Sequence, residues 1–162
     1  MRHIELNATV DNISGVISAE AYLEQLPRLT PSMPTGARTF ATDPMHYEFL
    51  GRRCIKDLTV NDLAVRGDDG RIDLELTLGH NCWKHDDNLF ITYTGVSSFE
   101  LRSADGTGRW TSLHSVILDE ILPHERGCSH EIACHGGTLT LVARDFSTAW
   151  IPAHCTNQRG QL

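Results

Sequence analysis

Histidine, cysteine and aspartate crowd one short stretch of the chain, where His80, Cys82 and His85 stand beside Asp86 and Asp87. Imidazole, thiolate and carboxylate are the ligand types that zinc accepts. His80, Cys82 and His85 therefore form a candidate metal set on a loop between strands. Their spacing matches no established zinc pattern, because structural sites normally pair their ligands at regular intervals. The competing reading is a polar turn with a partly buried cysteine, and on that reading the protein carries no cofactor, zinc being the alternative.

A second stretch holds Cys128, His130 and Cys134, which share strand parity. Ligands two apart on a strand lie about 6–7 Å from one another, so Cys128 and His130 can meet one ion while Cys134 is too distant. Free cysteine is often a small buried hydrophobe, and the segment reads as a core strand with His130 on the inner side, a candidate pocket residue. Nothing resembles a glycine-flanked serine elbow or a cysteine-protease signature, so no catalytic residue is assigned. The pairs Asp68-Asp69, Asp86-Asp87 and Asp119-Glu120 read as solvated charge on loops or strand ends. Adjacent strand residues point to opposite faces, a poor geometry for acid and base work on one substrate. Gly106 to Gly108 is too short a glycine run to cradle a phosphate.

Charge narrows the partners. Fourteen basic residues against 21 acidic ones give −7 with neutral histidines, the opposite of the basic footprint that binding to nucleic acid needs. An acidic surface attracts basic proteins or cations instead. If Asp68, Asp69, Asp86 and Asp87 gather at one end of the β body, with Trp83 and Trp110 nearby, they make aromatic anchors ringed by charge, the pattern of a protein-binding hot spot. Five cysteines, an odd number with no apolar leader before them, read as reduced thiols. No apolar run reaches membrane-spanning length. Together these predict a soluble, cytoplasmic protein.

The elements that must position these residues follow from periodicity. With 162 residues, 40% of them hydrophobic, one domain can bury roughly two-thirds of its unfolded surface. Residues 1–45 read as an N-terminal helix and a proline-rich wrapping segment. Ser18 caps a helix over Ala19 to Leu26, and Pro27 ends it. Pro27, Pro31, Pro34 and Pro44 then mark a loop.

Residues 46–162 read as an antiparallel β domain. Ile72, Leu74, Leu76 and Leu78 alternate with polar residues. The preceding strand pairs back across Gly67 to Gly70, with Val65 opposite Ile72 and Leu63 opposite Leu74. The parity of Leu58 and Val60 conflicts with that pairing unless a bulge sits near Asn61 and Asp62. Gly136-Gly137 forms a second hairpin turn, setting Cys134 opposite Leu139, Ile132 opposite Leu141 and His130 opposite Ala143. A bend is expected at Gly95. Strands near 46–50, 54–65, 71–79, 88–102, 115–121, 128–135 and 138–145, with 149–151 as a further short one, predict a mainly β, single-domain antiparallel meander. It closes into a sandwich or a partly open barrel, with one short N-terminal helix.

The succession CIKDLTVNDLAV, RIDLELTL, NLFITYTGV and SHEIACHGGTLTLVARDF resembles the small β-rich immunity-type proteins of bacterial polymorphic toxin systems and related bacterial domains. The likeness covers roughly residues 46 to 151 and is one of strand pattern. It implies a protein that blocks a toxin by binding it, without catalysis of its own, and it carries over no site residue. The expected function is thus a non-enzymatic acidic binding protein, an immunity-type inhibitor of a basic toxin. The alternative is a small β-barrel enzyme or ligand carrier of bacterial specialised metabolism, with a histidine-lined or zinc site.

Overall fold

A computed structural model describes residues 1–155; residues 156–162 of the predicted β domain lie outside the described residues. Eight strands and two helices succeed one another as β1 (Glu5–Val10), β2 (Ile13–Ser18), α1 (Glu20–Leu29), α2 (Thr35–Ala41), β3 (Thr59–Asp68), β4 (Arg71–Gly79), β5 (Asp87–Ser103), β6 (Val116–His124), β7 (Gly127–Cys134) and β8 (Gly137–Pro152). Strands β1 and β2 form a small hairpin. The other six make one antiparallel sheet in the order β3-β4-β5-β8-β7-β6.

That sheet curls until its two edges touch at one end. The Val60 N–H donates to the His114 carbonyl at 3.1 Å, and the Val116 N–H donates to the Leu58 carbonyl at 2.7 Å. Beyond Val60 the edges part, which leaves a partly open barrel rather than a closed one. The bulge expected near Asn61 is present, because the β3–β4 register slips between Val60 and Asp62. Gly95 has a φ of 63° and sits just before the slip in β5 between Val96 and Ser98.

Both expected hairpins form, each shifted by two residues. Val65 faces Leu74 and Leu63 faces Leu76, closed by a turn at Asp69 and Gly70 with φ of 46° and 80°. Cys134 faces Gly137, Ile132 faces Leu139, His130 faces Leu141 and Cys128 faces Ala143. At the first hairpin the tighter turn wins because two residues with positive φ match the strand twist; at the second, a two-residue turn forms one residue earlier, at His135 and Gly136. A shift of two keeps every side chain on its face. Cys128, His130, Ile132, Cys134, Leu139, Leu141 and Ala143 are accordingly all buried.

The first 58 residues differ more from expectation. Helix α1 runs through Pro27 to Leu29, with Tyr22 and Leu26 buried on one face. The lost N–H of Pro27 costs one bond, which that packing outweighs. Pro31 opens a 3-10 turn over Thr30–Ser32, and Pro34 is the N-cap of α2; prolines suit helix starts, where the N–H has no partner. The segment 46–50 forms turns, not a strand. Hairpin β1–β2, absent from the sequence reading, had a signal in Asp11 and Asn12, whose φ of 49° and 66° make a primed turn.

These N-terminal elements complete the core. Tyr22, Leu26, Ala37 and Phe40 pack with Leu76, Ile91, Tyr93 and Leu141 from the sheet. The Asp145 carboxylate of β8 accepts the N–H groups of Gly36 and Ala37, both at 3.0 Å, and so caps α2 from across the fold. Edge strand β6 is covered too, since the hydroxyls of Tyr22 and Tyr47 donate to the carbonyls of Ile121 (2.7 Å) and Asp119 (3.2 Å). Unpaired strand edges invite aggregation, and two tyrosines block this one.

Candidate functional site

Asp119 lies on the inner face of β6, opposite Ile132 and beside His130 on β7. Its two oxygens are held from two sides. His46 Nε2 stands 2.7 Å from Oδ1, and His130 Nε2 stands 2.8 Å from Oδ2. His46 Nδ1 lies 3.1 Å from the Phe40 carbonyl, and His130 Nδ1 lies 2.8 Å from the Tyr93 hydroxyl. All four side chains are buried.

These partners assign the protons. A carbonyl only accepts, so His46 Nδ1 carries hydrogen, and its Nε2 must carry another to bond an ionised Asp119. His46 is then the imidazolium. His130 donates from Nε2 to Oδ2, and its Nδ1 shares a hydrogen bond with the Tyr93 hydroxyl. Burial would by itself raise the Asp119 pKa, but the charge and hydrogen bonds of His46 and His130 hold it below the ordinary carboxylate range. Burial and the Asp119 charge push the Tyr93 hydroxyl well above its usual value.

The network is sealed. His130 stacks on Phe146 with ring centroids 5.3 Å apart, and Phe40 meets the His46 ring edge-on at 4.2 Å. At 1% exposure, His130 cannot touch a substrate in this conformation. Sequence reasoning placed His130 inside correctly. It missed His46, and it read Asp119 and Glu120 as solvated, which the structure corrects. Asp119 is 0% and Glu120 2% exposed. Glu120 faces the other side of β6, where its carboxylate accepts the N–H groups of Arg2, His3 and Ile4. Adjacent strand carboxylates do point apart, but both sides of this strand are covered. The apolar residues on either side of the pair, Val116 to Leu118 and Ile121 with Leu122, were the available signal.

The buried thiols are inert. Burial pushes Cys54 up to about 11 and Cys128 and Cys134 up to about 12, far from the thiolate a nucleophile needs. Cys82 and Cys155 are joined in a disulfide, which overturns the expectation that all five cysteines are reduced. Pairing of Asp87 with Pro152 brings the β4–β5 loop against the end of β8, a juxtaposition invisible in a spacing of 73 residues. In the predicted metal trio, His80 and Cys82 do come together, with Nε2 3.6 Å from Sγ. His85 does not join them, because it is buried and its Nε2–H donates to the Cys54 carbonyl at 2.9 Å.

The acidic loops do not gather. Asp68 and Asp69 lie at the β3–β4 turn, whereas Asp86 and Asp87 lie beyond the far end of β4, some 25–30 Å away at about 3.3 Å per residue. Arg52 pairs with Asp86 at 2.5 Å and Arg53 with Asp87 at 3.5 Å. Trp83 is 74% exposed at that second end. Trp110 is half-buried against the core, beside Leu63 and Val65.

Unpaired acid collects elsewhere. Glu5 on β1, Glu20 and Glu24 on α1, and Glu48 after α2 are exposed and, among the described residues, form no ion pair. Glu20 and Glu24 line an open groove of about 550 Å³ whose apolar floor includes Ile17, Leu23, Tyr47 and Phe49, while Glu48 and Glu5 each line one of two further grooves. Adjoining grooves share Leu23 and Tyr47 on one side and Glu20 and Glu24 on the other. Leu50, 86% exposed, projects close by in sequence. Residues of the N-terminal segment, together with Tyr47 to Phe49 just beyond it, thus set acidic and apolar surface side by side. Among the described residues no helix is long and apolar enough to cross a membrane. No protein-family model, no curated protein and no solved structure matches this chain.

Proposed function

We propose that this is a non-enzymatic binding protein that takes a basic protein partner, in the manner of immunity-type inhibitors of toxins, and that the partner docks on the α1 face. The observation that carries this reading is the groove around Leu23 and Tyr47, where apolar floor and unpaired carboxylates occur together. Apolar anchors supply affinity while a rim of one charge steers a partner of opposite charge. The net charge of −7 acts in the same direction over longer range. Arginine pairing at Asp86 and Asp87 favours this face over the loop surface expected from sequence.

The test is surface plasmon resonance, which separates association from dissociation, against any basic protein encoded next to this chain's gene. Glu20→Gln with Glu24→Gln should slow association and flatten its salt dependence, and Leu23→Ala should speed dissociation. Lack of binding to any adjacent basic gene product, or an affinity indifferent to all three substitutions, would remove the proposal.

A further inference from the structure

We infer that the Cys82–Cys155 disulfide is one state of a redox-gated zinc site, and that the reduced protein binds one zinc ion through His80 Nε2, Cys82 Sγ and Cys155 Sγ. These three ligand atoms lie within 4.8 Å of one another, close enough to surround a single ion with Zn–S distances of about 2.3 Å and Zn–N of about 2.0–2.1 Å. The set is soft and of the zinc-preferring type, and three protein ligands leave the fourth position of a tetrahedron to water.

The imidazole is already oriented for this role. Asn88 Oδ1 lies 2.9 Å from both the backbone N–H and Nδ1 of His80. An amide oxygen accepts, so Nδ1 carries the hydrogen and Nε2 presents its lone pair to the sulfurs. Fixing a histidine tautomer through its second nitrogen is how ligand histidines are usually held. Cys82 and Cys155 are exposed and His80 is half-buried, so reductant and metal can reach them. The other three thiols are buried and cannot compete.

The interconversion balances. A dithiol reductant breaks the sulfur–sulfur bond, itself closing to a disulfide, and leaves two cysteine thiols. Zinc then displaces both thiol protons to solvent, and oxidation by a disulfide reverses the sequence once the ion leaves.

Cobalt(II) is the probe, because its bonds to thiolate absorb strongly in the near ultraviolet and those to nitrogen and oxygen alone do not. Full-length protein kept reduced under anaerobic conditions should develop this band and saturate at one ion per chain, with zinc displacing the cobalt. The oxidised protein should develop none. Cys155→Ser should abolish the saturating band, and Asn88→Ala should weaken the affinity about 10–100-fold. The doubly substituted Cys82→Ser, Cys155→Ser protein, compared by far-ultraviolet dichroism, shows whether the fold survives without the bond. A reduced, folded protein with no thiolate band, or a band of equal strength in Cys155→Ser, overturns the assignment.

Discussion

His46 and Asp119 are 73 residues apart in sequence, yet His46 Nε2 lies 2.7 Å from Asp119 Oδ1 with neither side chain exposed. This contact ties the turn after α2 to edge strand β6. The second oxygen of the same carboxylate holds β7 through His130, so one buried charge joins three segments.

Removing that charge should be costly. Asp119→Asn leaves the His46 proton without its counter-charge in a dry site, and breaking a buried pair from one side destabilises by about 3–5 kcal/mol. Urea unfolding should report a loss of that size. A loss below about 1 kcal/mol would show that the network contributes nothing beyond an ordinary hydrogen bond.

Acidification should act in two stages. His85 has its pKa lowered from the usual 6.5, first by burial, so as pH falls through 6.5 the unfolded chain takes up the proton first and stability declines. Asp119 is held below the usual 3.8, so its contribution is complete above that pH and drains away below it. Urea midpoints measured across the acid range should therefore fall first below about pH 6.5 and again below about pH 4. His85→Gln should erase the first stage and Asp119→Asn the second.

The seat of α2 makes a sharper steric test. A Cβ on Gly36 would stand 1.7 Å from the Phe146 carbonyl oxygen of β8, so Gly36→Ala must push helix and strand apart. It should cost more than Asp145→Ala, which removes the shared cap and should cost about 0.5–2 kcal/mol. Thermal melts of the two variants give the ranking, and equal midpoints would contradict it.

Reducing the Cys82–Cys155 bond releases a constraint across 73 residues. Loop-closure entropy sets about 4 kcal/mol as the upper bound of the resulting loss. Urea midpoints with and without a phosphine reductant should fall in that direction, while the Cys82→Ser, Cys155→Ser protein should be insensitive to reductant.

Alternation alone identified the face on which His130 and its neighbours are buried, the bulge near Asn61 and the bend at Gly95, because side-chain parity is a property of the strand itself. The registers came out shifted by two residues, since parity repeats every two and cannot choose between pairings offset by that amount. Helix α2 escaped notice because its N-terminus is capped by Asp145 from 108 residues away, not by a neighbour. The same reason hid the centre of the molecule. Composition supplied histidines, aspartates and an acidic balance, but which carboxylates were sealed, paired or left facing water was decided only when the sheet curled and the N-terminal segment closed over it. Burial and charge pairing depend on contacts made through space, and periodicity along the chain carries no information about those.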